Sequence, residues 1–431
     1  MNKHIKKALP ELIEAEIITP ATADKIVDFY EAKASDPQRR LLIVFGILGS
    51  ILVGTGIILI LAHNWDNLSR LSKTILAFSP LIISQALCGY TIFKKTYSVA
   101  WRESTAILLF FAIGACMALV SQVYNISGSL DSFVLTWTIL ALPIIYIMRS
   151  SMASLLYLAF ISWYVVLDWN YGYYWLLLAG ALPHYFNLIK RDPASNFLAF
   201  HHWLIPISAI FGVAAATDKH ESLIVLALLS AFAVYYQIGR SKLFESAKLR
   251  TNAYLILGSL GTALLLIITS FDEFWSYLYE SKYTWTIMVN SKTFATWIVA
   301  FLLAVVGGSR LVYRTNLKTV LSEYPKSVVF VLFSLAFLLA QSGDILPIII
   351  VNLLIVWVGM ASVITGIKSG SFTKLNYGLV LLTILIVCRF FDMDISFVIK
   401  GLIYIALGVT LFVVNYVIMK RKRSTAQLKH Q

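Results

Sequence analysis

Charge is what this 431-residue sequence has least of: Asp, Glu, Lys and Arg make up 13% of it, against ~25% in a typical soluble domain. With 59% apolar residues and a mean hydropathy of +0.79, it has too little polar surface to cover a water-soluble fold of this size. Cysteine is almost as scarce. Cys88, Cys116 and Cys388 all lie inside apolar runs without ligand-like spacing, which argues against a disulfide framework or a structural zinc site. There is no nucleotide-binding glycine loop, no nucleophile elbow and no carboxylate pair at a catalytic spacing. No catalytic residue, metal or cofactor is therefore expected. Residues 1–40 lack a short apolar core with a small-residue cleavage site. The run from Leu41 is accordingly expected to be an uncleaved anchor.

What the sequence does have is long apolar runs. A transmembrane helix needs about 20 such residues, and candidate runs lie at 41–62, 73–93, 104–124, 131–148, 151–168, 171–189, 198–216, 222–239, 253–271, 293–313, 326–341, 345–366, 373–391 and 396–418. The expected fold class is all-α, a polytopic transmembrane helical bundle of about fourteen spans with the lipid bilayer as its first partner.

The loops between the runs alternate in charge. With the N-terminus in the cytoplasm, most of the 35 Lys and Arg residues fall in segments on that side. The outer loops receive Arg70, Lys73, Lys219, Lys282 and Lys292, with Arg389 and Lys400 near the outer ends of the last two runs. Acidic residues gather on the outer side instead, among them Asp66, Asp131, Asp272, Glu273 and Asp392. This asymmetry is the positive-inside pattern. It implies an even number of crossings and cytoplasmic N- and C-termini. It also accounts for the net charge of +13 without a nucleic-acid partner, because the excess is not a phosphate-binding stripe.

Residues 1–38 read as a separate cytoplasmic helical hairpin. Leu9, Leu12, Ile13 and Ile17 recur at helical spacing, Thr19-Pro20 is an N-cap followed by proline at the first helical position, and Ile26, Val27 and Tyr30 give the second helix an apolar face. The hairpin is expected to lie on the membrane face or to dock a protein partner. Residues 39–419 form the bundle and 420–431 a basic tail. Within the bundle, Gly46-Ile-Leu-Gly49-Ser50 resembles Gly258-Ser-Leu-Gly261-Thr262. Other parallels join 41–191 to 253–419 as a 6+2+6 parallel repeat with linking spans at 198–239, the kind of duplication common in carriers.

Polar groups in or beside spans are the functional candidates, since charge in hydrocarbon is costly and usually faces a partner or a wet cavity. Arg389, Asp392, Asp394 and Lys400 could form an outward-facing anion site, or a snorkelling arginine beside an interfacial lysine. His63 and Asp66 are three apart and could share a proton, or simply end a helix. Gln122 and Tyr124, followed by Ser127-Gly128, mark either a re-entrant turn or the polar end of a span. Amides at Gln85, Gln237, Gln341, Asn352 and Asn376 are candidate links between helices. His184 and the His201-His202 pair read as interfacial or packing residues, Gly307-Gly308 as a close-packing or kink site, and the aromatic stretch 271–292 as an amphipathic helix on the outer leaflet or a lid over a substrate path.

At several of these residues the chain resembles a bacterial membrane-protein family known only as domain of unknown function 2157. The resemblance lies in the N-terminal element with Leu9, Leu12, Ile17 and Tyr30, the first span ending Ala62-His63-Asn64-Trp65-Asp66, the stretch Gln122-Val-Tyr124 leading to Trp137 and Pro143, and the terminal Arg389-Phe-Phe-Asp392. His63 stands where a small residue is expected. The resemblance implies a membrane localisation and carries no activity, cofactor or catalytic residue. Three functional classes follow. A secondary carrier or flippase-like protein comes first, a non-transporting scaffold or sensor docking partners through residues 1–38 second, and a membrane-embedded enzyme third. The small-molecule or lipid substrate is left open.

Overall fold

A computed structural model describes residues 3–34, 65–168, 173–193, 195–215, 222–245, 249–280, 292–339 and 345–392, with isolated positions beyond. Among the described residues all regular structure is helical. The chain divides into two compact units, Met1–Phe78 and Ser79–Gln431.

The first unit contains α1 (Lys3–Glu14) and α2 (Pro20–Ala34), which contact each other with Leu9 and Ala23 buried. Thr19 Oγ1 accepts the Thr22 amide at 3.3 Å and Pro20 opens α2, the cap read from the sequence. Ile17 departs from the expected apolar face. It lies past the end of α1, after Glu16 turns the chain at φ 55°, and is exposed. His63 and the run at 41–62 lie outside the described residues.

The helices that follow are α3 (Arg70–Lys94), α4 (Val99–Tyr124), α5 (Leu130–Ile147), α6 (Ser151–Asp168), α7 (Tyr174–Arg191) and α8 (Asn196–Ala215). After them come α9 (Ser222–Gly239), α10 (Ala253–Ile268), α11 (Asp272–Glu280), α12 (Lys292–Thr315), α13 (Leu317–Glu323), α14 (Val329–Leu339), α15 (Leu346–Ser369) and α16 (Phe372–Asp392). Every apolar run expected between residues 73 and 391 coincides with one of these helices. Seven of them, α3, α4, α5, α8, α12, α15 and α16, are long and apolar enough to cross a membrane. Four more, α6, α9, α10 and α14, are apolar but shorter. The last run, 396–418, is described only at isolated positions.

Two apolar cores organise the second unit. The first is built on α6, whose Ala153, Tyr157, Leu158, Ile161 and Val165 are fully buried among helices from α3 to α8. The second is built on α9, which packs its Leu226, Leu229, Phe232 and Ala233 against α10, α12 and α14. A helix apolar on all sides belongs in the middle of a bundle, and α6 and α9 occupy that place. Ala209 of α8 packs against both cores.

Small residues let the helices of the second core approach closely. A Cβ at Gly258 would sit 2.5 Å from the Tyr236 backbone nitrogen, and one at Gly378 2.5 Å from the Gly359 carbonyl oxygen. Gly307 lies against the Gln237 side chain, so the glycine pair at 307–308 does serve close packing. Gly46 and Gly49, the other copy of the repeated glycine motif, lie outside the described residues.

The amides singled out from the sequence divide into two groups. Gln237 Nε2 donates to Ala304 O at 2.9 Å and to Ser327 O at 3.0 Å, tying α9 to α12 and to the turn before α14. Asn352 Nδ2 donates to Ile348 O at 2.8 Å and Ser270 O at 3.4 Å. Gln85 and Asn376 instead face outward, and Gln341 lies outside the described residues. The aromatic stretch after α10 also differs from a helix lying wholly on the surface. Trp275 of α11 is buried in the second core, with Nε1 donating to Thr269 O at 2.7 Å.

Candidate functional site

The end of the second core that carries α9's C-terminus and α16's N-terminus encloses a cavity of about 510 Å³. Several local devices fix its walls. Asn252 caps α10 by accepting the Leu255 amide at 3.0 Å and donates to the last carbonyl of α9, Gly239, at 2.8 Å. This sets Tyr236 and Arg240 against α10. Asn316 caps α13, accepting the Thr319 amide at 2.9 Å. Pro325 then starts a single 3₁₀ turn, Pro325–Ser327, closed by Ser327 N to Tyr324 O at 3.0 Å and Val328 N to Pro325 O at 2.9 Å. Tyr377 on α16 donates to Ser259 O of α10 at 2.8 Å.

These devices gather three cations on one lining: Arg240 after α9, Lys326 in the 3₁₀ turn and Lys374 on α16. Lys326 is the most enclosed, at 9% exposure. Its Nζ lies 3.8 Å from the Tyr377 ring centroid and 5.3 Å from that of Tyr236. The Arg240 guanidinium lies 4.4 Å over the Tyr324 ring. Among the described residues no carboxylate forms an ion pair with Arg240, Lys326 or Lys374; the ion pair nearby is Arg314–Glu245 at 3.6 Å. Glu323 is the one acid on the lining. Hydroxyls come from Ser362 and Thr365 of α15, Ser371, and Thr373 of α16, and apolar wall from Leu249, Leu255, Ile256 and Leu260. A cation held this way by aromatic faces lacks the anion that would offset its desolvation.

The residues singled out from the sequence lie elsewhere. Arg389 is at the opposite end of α16, donating to Ser270 Oγ at 3.1 Å with its guanidinium 4.8 Å from the Phe271 ring. Asp392 is the last residue of that helix, and Asp394 and Lys400 lie outside the described residues. Asp66 is exposed in the 3₁₀ turn Trp65–Asn67. Gln122 and Tyr124 are exposed at the end of α4, where Asn125 takes the left-handed conformation (φ 54°) and donates its amide to Ser121 O. A short connection then leads to α5.

A second polar cluster, whose acid was unread in the sequence, lies in the first core. Glu103 of α4 is buried and caps α6. Its carboxylate accepts from Ser150 Oγ, from Ser151 N at 3.0 Å and from Met152 N at 2.8 Å. His184 and His201 stand beside it. His184 Nε2 is 3.3 Å from Ser151 Oγ, and His201 Nε2 is 3.0 Å from Ser154 Oγ. These histidines and His202, which meets Tyr185 at 2.8 Å, have protein partners throughout, in keeping with packing roles. Among the described residues no group of His, Cys, Asp and Glu could hold a metal ion.

Several helices fit to cross a bilayer, packed into two apolar cores with a basic cavity at one end of the second, define an all-helical membrane protein. Residues 10–154 match the model of the family described as "Predicted membrane protein (DUF2157)", the family that the chain resembled at its N-terminal third; the terminal Arg389-Phe-Phe-Asp392, which carried the rest of that resemblance, lies outside the match. No curated protein and no solved structure matches the chain. The matched stretch runs from α1 to the start of α6, so the basic cavity belongs to the part of the chain beyond it.

Proposed function

We propose that this protein is a secondary carrier or flippase-like protein whose anionic ligand binds in the basic cavity of the second core. The carrying observation is Lys326. A lysine at 9% exposure, on a cavity wall shared with Arg240 and Lys374 and joined to no carboxylate, keeps a destabilising charge in the fold. A bound anion turns that cost into affinity. The cavity holds a single acid and neither histidine nor cysteine, so its chemistry favours binding over acid–base or nucleophilic work.

The same proposal keeps about fourteen crossings of a bacterial inner membrane, both termini in the cytoplasm, and the related segments 41–191 and 253–419. The loop charges support it: Arg240, Lys326 and Lys374 belong to the basic side, so the ligand would enter from the cytoplasm.

Carrier behaviour is testable without knowing the substrate. In a background with Cys88, Cys116 and Cys388 replaced, Ser259→Cys puts a thiol on the cavity wall. A membrane-impermeant thiol reagent should modify it from either face, in right-side-out and in inverted vesicles. Modification from one face only would mean a static site and would end the carrier proposal.

A further inference from the structure

We infer that the cavity takes the head of an amphiphile ending in a phosphate monoester, with its apolar chain leaving along the outer face of α10. This inference rests on the anion site proposed above and names its ligand class.

The head follows from charge and donor chemistry. Three cations against Glu323 leave an excess of two positive charges on the lining. A phosphate monoester carries roughly −1.5 to −2 at neutral pH, whereas a diester or a single carboxylate carries one. Arg240 supplies a planar fork suited to two phosphate oxygens, and the lysines supply compact charges. The hydroxyls of Thr365 and Thr373 add donors for the remaining lone pairs, while Ser362 Oγ donates to Val358 O at 2.7 Å.

The chain follows from the wall. Leu260 lines the cavity and is at the same time 56% exposed on the flank of the bundle. Leu264 at 59% and Ile268 at 48% continue it at i+4 and i+8 on α10. Residues at that spacing share one helix face, so an apolar strip begins in the cavity wall and runs up the helix toward its other end. A free inorganic ion would use the cations and leave this continuity unused. A lipid phosphate engages both.

The test uses the protein in dodecyl maltoside, reading the thermal unfolding midpoint at neutral pH, where a phosphate monoester carries about −1.5 to −2. The ligands are dioleoyl phosphatidate, dioleoyl phosphatidylcholine, glycerol 3-phosphate and inorganic phosphate. Phosphatidate should raise the midpoint by several degrees and phosphatidylcholine should not. The apparent affinity for phosphatidate should exceed that for glycerol 3-phosphate by at least about tenfold, the equivalent of a few buried methylenes. Lys326→Met combined with Lys374→Gln should abolish the phosphatidate shift, and Leu260→Ser should weaken it while leaving glycerol 3-phosphate unchanged. Lys374→Gln alone, at a half-buried position, serves if the double variant does not fold, and Lys318→Gln, an exposed lysine of α13, should change nothing. Equal shifts from phosphatidate and the water-soluble phosphates would overturn the lipid inference and leave the anion site standing. A phosphatidate shift that survives loss of the cavity lysines would place the lipid elsewhere and overturn it too. No shift from any phosphate would sink the anion site itself.

Discussion

Lys326 keeps its ammonium against the rings of Tyr236 and Tyr377, and the charges on the same lining are Arg240, Lys374 and Glu323. Among the described residues no carboxylate forms an ion pair with it. A buried charge without an ionic partner costs stability, so Lys326→Met should raise the melting temperature of the unliganded protein. A variant that melts at the same or a lower temperature would show that the charge carries no such cost. The same residue marks how far the sequence could be read. Lys326, Arg240 and Lys374 were all visible as basic-side charges, and in that role they set the orientation. They lie far apart in the chain, and no spacing rule links them. The signal that was available is narrower: Lys326 sits at the first position of an apolar run, behind a proline, where a charge has little room to reach water.

Elements were more legible than contacts. Apolar periodicity located the helices between residues 73 and 391 because each buries apolar surface along most of its length. It gave the bounds of α6 and α9, but overran the end of α10 and placed the start of α14 at Lys326, where the 3₁₀ turn Pro325–Ser327 comes first. Asn252 caps α10 at the expected start, and Thr269 and Ser270 fold back onto the carbonyls of Leu265 and Ile267 to end it. Gln237 was read as a link between helices and is one. Glu103 was not read at all, because a lone glutamate near the start of a span looks like a loop charge. Its partners, Ser150 to Met152, are close to half a hundred residues away. With two amides and a hydroxyl donating to it, this carboxylate satisfies the first turn of the central helix of the first core. Glu103→Gln keeps the shape but turns an acceptor oxygen into a donor facing other donors. A loss of about 1–3 kcal/mol is expected, read as a lower melting temperature, with Glu103→Ala at least as severe. A variant that melts like the parent would mean that water replaces the cap at no cost.

At the scale of the whole molecule, the direction in which the chain is threaded decides which end of the second core meets the cytoplasm. Contacts within that core put the cavity cations at one end. The opposite end holds Ser270, Asn352 and Arg389, close to the acidic start of α11. In the first core, the α5–α6 turn with Arg149 and the start of α4 with Arg102 meet through Glu103, on the side the charge asymmetry assigns to the cytoplasm. The connection between α4 and α5 at Ser129 lies at the other side, and Ser241, just after α9, lies beside Arg240. In the cysteine-replaced background, a membrane-impermeant thiol reagent applied to intact cells should modify Ser129→Cys and spare Ser241→Cys, with both modified once the membrane is permeabilised. The reverse pattern would turn the cavity outward. Its cations would then recruit ligand from outside the cell, and the positive-inside asymmetry, which retains lysine and arginine on the cytoplasmic face during insertion, would have failed as a guide to this chain.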